Sequence, residues 1–313
     1  MAILMEQTRG VVELKNNRIT GIEPIGPPDN QFRFGIGGAA LGPLSGKLVG
    51  ELHAIGNYID SRSVPFMQGD DNGIAMAAAS FSFLEYRDNR LYTDGESVEI
   101  EGLDNPDAII EVVGNDIIND GAVSSLADLT EIVGLTTGVS GGHPAALKVI
   151  GVRAKSVLIE DNTIAVSGYP SAVCLMAGAD AFQPLEDISF EIRRNHCTMD
   201  GQFAALQAGW AGLLPFYPPF YLRNAIVEDN VFTGTARFGI PFLDWTYIGP
   251  GAGALPNDVT NRGRTNVFRN NDLTGFAATE NGLVFWNSTF DNLFVGATGG
   301  SVVDQGTNNR INP

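Results

Sequence analysis

VLIEDNTI at 157–164 and AIVEDNVF at 225–232 share one plan: apolar residues at alternate positions, Asp, Asn, one variable residue, one apolar residue. Outward from these, the core of the phrase recurs as LKNNRI at 14–19, AIGNYI at 54–59, YRDNRL at 86–91 and VVGNDI at 112–117. It continues as IRRNHC at 192–197 and FRNNDL at 268–273, with weaker copies TFDNLF at 289–294 and GTNNRI at 306–311. The shared residues are Asn17, Asn57, Asn89, Asn115, Asn162, Asn195, Asn230, Asn271, Asn292 and Asn309.

Two residues after each Asn stands an apolar residue: Ile19, Ile59, Leu91, Ile117, Ile164, Cys197, Phe232, Leu273, Phe294 and Ile311. Three before it, the first eight copies also carry one: Leu14, Ala54, Tyr86, Val112, Ile159, Ile192, Val227 and Phe268. This is strand, tight bend, strand. Asn suits the bend because it tolerates left-handed backbone angles and its amide bonds nearby backbone. The spacings between successive Asn run 40, 32, 26, 47, 33, 35, 41, 21 and 17 residues. A solenoid accommodates such variation, because each coil keeps its strands and varies its loops. The expectation is that all ten asparagines form one file, hydrogen-bonded from coil to coil, with the apolar residues stacked inside.

This phrase resembles the coil repeat of the right-handed parallel β-helix, the architecture of the pectate-lyase-like superfamily, over about 11–311. The resemblance implies an all-β, single-stranded right-handed parallel β-helix, a solenoid of three parallel sheets with long loop insertions. It treats 1–313 as one domain. The amphipathic helix that usually caps the first coil of that superfamily has no match before Val11. The resemblance speaks to fold and is nearly silent on chemistry.

Composition agrees with a packed, non-helical chain. Of 313 residues, 44% are hydrophobic and 18% charged, and 38 are Gly, which disfavours helix. Acids outnumber bases 36 to 19, a net charge of −17 that argues against a nucleic-acid partner. No apolar run approaches the roughly 18 residues of a membrane span. MAILMEQTRG at the start lacks the basic leader of a secretory signal, and an extracellular or cell-surface location is expected from the fold resemblance alone. Two Cys cannot make a disulfide framework or a Cys-based zinc site. Cys197 takes the inward place of Ile. Cys174, 23 residues earlier, has a different position relative to the bend, so no bridge between them is expected.

Residues in excess of a coil leave it as insertions, expected at about 21–46, 122–146, 203–222 and 235–264. The second contains SSLADLTEIV, whose Leu126, Leu129, Ile132 and Val133 fit a short helix. The last two occupy successive coils and are rich in aromatics. Trp210, Tyr217, Tyr221, Trp245 and Tyr247 are the candidate ligand-binding residues, since flat aromatic faces beside carboxylates suit sugar rings. The bland alternative is that these rings pack beneath their own loops or form a protein interface.

Candidate catalytic residues are Asp70, Asp71, Asp244 and Arg237. GDDNG at 69–73 resembles the paired-Asp stretch of polygalacturonase-type hydrolases, but GGHP at 141–144 and VRAK at 152–155 match the remaining motifs of those enzymes poorly. Two adjacent Asp converge only in a loop, and an acidic turn is the simpler account. His53, His143 and His196 lack metal-ligand spacing, so no metal site is assigned. The alternating acids of DGESVEIEGLDNPD at 94–107 admit Ca2+ as the one cofactor to consider.

The expected function is an extracellular β-helix that recognises a polysaccharide or oligosaccharide through its aromatic loops, with cleavage by a lyase or hydrolase reaction left open. The alternative is a non-catalytic structural, adhesin-like or assembly module, which forms a homo-oligomer through its apolar loops. Replacing Ile164 with Asp should abolish folding, because it places a charge inside the stack. A soluble I164D protein that melts like wild type would contradict that placement.

Overall fold

The computed structural model describes residues 3–5, 10–22, 31–39, 50–62, 69–77, 81–121, 143–168, 171–180, 188–207, 209–210, 220–244, 264–275, 281–285, 289–299, 301–304 and 306–312. The chain is a parallel β-helix, and no helix occurs among the described residues.

Successive coils lay strands on three faces. Face 1 is a ten-stranded sheet of β2 (Gly10–Lys15), β5 (Gly50–Ile55), β8 (Phe81–Arg87), β11 (Ile109–Val113), β14 (Ser156–Glu160), β17 (Ser189–Arg193), β21 (Ile226–Glu228), β23 (Val267–Arg269), β26 (Leu293–Val295) and β28 (Arg310–Asn312). Face 2 holds β3 (Arg18–Ile19), β6 (Tyr58–Asp60), β9 (Arg90–Thr93), β12 (Asp116–Gly121), β15 (Thr163–Gly168) and β24 (Asp272–Gly275). Face 3 holds β1 (Ile3–Met5), β4 (Gln31–Ala39), β7 (Gly69–Ala77), β10 (Val98–Glu101), β13 (His143–Val152), β16 (Ser171–Asp180), β25 (Asn281–Phe285) and β27 (Ser301–Asp304). Two long strands, β18 (His196–Gln207) and β22 (Val231–Asp244), run from face 2 into face 3, so those faces merge into one 18-stranded sheet. Pairing along the stack is parallel. The antiparallel exception is β20 (Phe220–Tyr221), which joins β19 (Gly209–Trp210) to the end of β16.

The corner between faces 1 and 2 is the constant feature. It always takes two residues, the first left-handed with φ between 53° and 68° and the second Asn in every coil but the last, where it is Ala297. Gly, Asp and Asn dominate the first position, as that conformation demands. Gly114 shows how tight the stacking is: a Cβ there would lie 2.5 Å from Asp88 Oδ1 of the adjoining coil.

At the second position, Nδ2 of each Asn donates to Oδ1 of the Asn in the next coil. The distances are 2.9 Å for Asn17–Asn57, Asn57–Asn89, Asn115–Asn162, Asn162–Asn195 and Asn230–Asn271, and 3.0 Å for Asn89–Asn115 and Asn195–Asn230. The other Nδ2 proton points back to a carbonyl of the preceding coil, as from Asn162 to Val112 at 2.8 Å. Oδ1 also accepts the backbone N–H of the preceding Asn, as from Asn115 N to Asn162 at 3.0 Å. Both donors and both lone pairs of the amide are thereby used in a buried place.

The expected single file of ten is in fact two files. Eight asparagines, Asn17 to Asn271, form the first. Asn292 and Asn309 stand at a different corner, the entry to face 1, where Asn266 donates its N–H to Asn292 Oδ1 and Asn292 donates to Asn309 Oδ1. In the first file the place after Asn271 is taken by Ala297, since Asp272 bridges Thr298. Both corners use a left-handed residue followed by Asn: Asp291 and Asn308 have φ of 58° and 56°. The same local phrase therefore arises at two places in the coil.

Inside the tube, the residue two after each first-file Asn is buried, from Ile19 and Ile59 to Phe232 and Leu273, as is the residue three before it from Ala54 to Phe268. Each such side chain contributes roughly 1.5–3 kcal/mol on burial. Ile164 is 1% exposed. Tyr86 spends its ring on the same core, its hydroxyl buried without a hydrogen-bond partner.

Two expectations are corrected. Cys174 and Cys197 form a disulfide, with Cα atoms 6.5 Å apart. Position relative to the bend was the wrong criterion: Cys174 points inward from face 3 and Cys197 from face 2, and inward residues of different faces meet across the core. Parts of the expected insertions are strand: Gln31–Ala39 is β4, His143–Val152 begins inside 122–146, and β18 and β22 extend into 203–222 and 235–264. Gly and Pro flanking these stretches marked the turns but concealed the strand between them. The helix expected within 122–146 lies outside the described residues. β1 pairs in parallel with β4 on face 3.

Candidate functional site

The corner geometry decides where long connections can leave the coil. The face 1–face 2 corner never lengthens, because the amide file fixes it. Long connections therefore fall on either side of face 3: 122–142 precedes β13, and 40–49, 181–187, 211–219 and 245–263 follow face 3 strands. Loops on a rigid scaffold are where binding groups are carried.

On face 3, β10 alternates Val98 and Ile100 inward with Glu99 and Glu101 outward. Its neighbour β13 sets Lys148 opposite Glu99. Lys148 Nζ lies 2.9 Å from Glu96 of the preceding corner, 3.0 Å from Glu99 and 3.2 Å from Glu101. Lys148 is 1% exposed, whereas the side chains of Glu99 and Glu101 retain 15%. All of Ala145–Val152 is buried, so the outer side of face 3 is covered here as well as the inner.

Three carboxylates around one ammonium cannot all ionise easily. Burial, with the adjacent Glu99 charge adding to it, pushes Glu101 up to about 7 against the pull of Lys148. Glu99 also suffers from burial, but the Lys148 charge and hydrogen bonds from Lys148, Glu101 and Glu96 hold it below its ordinary value. The result at neutral pH is a carboxyl near the midpoint of its titration beside an ionised one, the arrangement that acid–base chemistry uses. The sequence reading saw these acids only as calcium ligands. Here a lysine stands among them, and no group of three or more metal-ligating side chains occurs among the described residues.

The other two faces are closed by their own pairs. On face 1, Arg87 bridges Glu85 and Glu111 at 2.7 and 2.9 Å, and His53 is raised by its hydrogen bond to Glu85 at 2.7 Å. On face 2, Arg18 lies over the Tyr58 ring and Arg62 and Arg90 lie over that of Tyr92.

The residues chosen from sequence distribute as follows. Asp70 and Asp71 are consecutive positions of β7, in register with Phe32 and Arg33 of β4, so they lie on a face 3 strand and not in a turn. Asp244 ends β22 in register with Phe285, and Arg237 lies in the same strand. Trp210 pairs with Phe220 in the β19–β20 hairpin beside face 3. Tyr221, in register with Ala179, is 5% exposed and thus packed within the fold. Tyr217, Trp245 and Tyr247 lie outside the described residues, as do the side chains of Asp70, Asp71, Trp210, Arg237 and Asp244. Asp70 and Asp71 sit on the strand adjoining Glu99 and Glu101, whereas Asp244 is three coils away from Lys148, roughly 14 Å along the stack. Glu99, Glu101 and Lys148 were missed, although Lys148 was visible as one of four lysines in the chain.

No protein-family model matches the chain, and no curated protein is recovered as a relative.

Replacing Lys148 with Met should destabilise the protein by about 3–5 kcal/mol at neutral pH, because it strands buried carboxylates. Adding Glu99→Gln and Glu101→Gln should recover most of that loss. Urea denaturation measures both, and a K148M loss below about 1 kcal/mol would show the cluster to be well solvated.

Proposed function

We propose that this β-helix recognises a polysaccharide along face 3 and its flanking insertions, at a cell surface or outside the cell. The observation that carries the reading is the one-sided placement of the long connections around a face that bears a carboxyl pair and a lysine. The likeness of the coil phrase to the pectate-lyase-like superfamily supports the substrate class, and the buried Cys174–Cys197 bridge supports an oxidising location. A net charge of −17 disfavours an unassisted polyanion, so a neutral glycan is the preferred ligand. Cleavage is the second part of the proposal. Glu101 supplies a proton near neutral pH and Glu99 an ionised carboxylate, but they are hydrogen-bonded to each other and would act on a glycosidic bond only after parting to about 5 Å or more. Asp70 and Asp71, on the adjoining strand, remain candidates for the same role.

A second reading, a non-catalytic assembly module, is favoured by the depth of Lys148, since buried ion networks also serve structure alone. A glycan array with neutral and acidic oligosaccharides, followed by a reducing-end assay on every binder, separates the two. The proposal expects binding of a neutral glycan at millimolar concentration or below. Absence of binding, together with a stable oligomer by light scattering, would establish the assembly reading instead.

A further inference from the structure

We propose that the Lys148 cluster is a proton-operated lock on face 3, holding the 94–97 corner and β10 against β13. The geometry is that of a strap. One ammonium reaches the corner through Glu96 and β10 through both Glu99 and Glu101. It acts on β13, which begins immediately after the 122–142 connection, five residues before Lys148. Among the described residues one ammonium meets three carboxyl groups, and the strap holds them closest while one of the three carries a proton.

Glu101 is that one. Its neighbours from each packed element are Lys148 of β13, Glu99 on its own strand and Glu96 in the corner. β7 presents Ala77 in register, and the Glu99 charge acts on the buried Tyr86 hydroxyl. Among the described residues, Lys148 is the cation that acts on Glu101. Its carboxyl titrates at about 7, above the 4.5 of a free glutamate. The native state therefore binds this proton more tightly than the unfolded chain. The stabilisation is full below about 4.5 and is lost as pH rises to about 7. Above that, Glu101 adds a negative charge to the cluster, the hydrogen bond from Glu101 to Glu99 disappears, and adjacent outward positions of one strand repel. The lock is closed in mild acid and loosened in mild alkali.

Hydrogen exchange of the intact protein at about pH 5.5 and about pH 8.5, corrected for intrinsic rates, reads the lock locally. In wild type, protection across 98–101 and 145–152 should fall about tenfold or more at the higher pH, while 226–228 and 267–269 stay unchanged. Glu101→Gln imitates the protonated carboxyl in shape and charge, so it should fold and lose less than about threefold. Glu99→Gln removes the charge that helps hold Glu101 up, so it should move the loss to lower pH or reduce it. A wild-type protein with no pH-dependent loss there, or an E101Q protein that loses as much as wild type, would overturn the proposal. The readout uses no glycan, so its outcome is independent of the function proposed above.

Discussion

A primary amide has two protons to give and one oxygen to accept with, and burying it unpaired costs about 1–3 kcal/mol. The partner that satisfies it fully and repeatedly is a copy of itself one strand spacing away. From Asn17 to Asn271 the chain meets that condition seven times in succession, at 2.9–3.0 Å. The rest of the structure depends on this constraint. It fixes the corner at two residues, sets coil over coil in register, and brings the apolar residues on either side of the corner into the same interior columns.

The constraint also determines where variation is allowed. A corner tied to its neighbours through Oδ1 and Nδ2 cannot lengthen without breaking the file, so insertions move to the borders of face 3. The proposed functional groups lie beside them. Lys148 and its three glutamates sit on that face and under cover, while face 1 is laced by Arg87, Glu85 and Glu111 and face 2 by arginines over Tyr58 and Tyr92. Scaffold and site thus arise from one rule: the tight corner makes the other corners free.

Much of this was legible in the sequence, because stacking repeats a local pattern. The buried positions beside Asn57 to Asn271 were all marked by the phrase itself. What was lost depended on which corner a phrase occupied, and two corners share a left-handed residue followed by Asn. One signal did distinguish them. The position three before Asn is apolar in eight copies but is Thr289 and Gly306 in the last two, and these are the copies that belong to the second file. The disulfide was missed for a related reason: distance along the chain from a bend says nothing about which residues face each other across a closed tube. The Lys148 cluster was hardest to see. Glu99 and Glu101 lie 49 and 47 residues from Lys148, across a long insertion whose length the phrase does not constrain, and the strand after it carries no Asn to mark its register.

The most direct measurement of the central claim is a set of double-mutant cycles on the amide files, by urea denaturation of Asn→Ala variants. The Asn115–Asn162 and Asn292–Asn309 pairs should each show coupling of about 1 kcal/mol or more, whereas Asn271 and Asn292, in different files, should be additive within about 0.5 kcal/mol. Additivity for Asn115 with Asn162, or coupling between Asn271 and Asn292, would contradict the two-file coil.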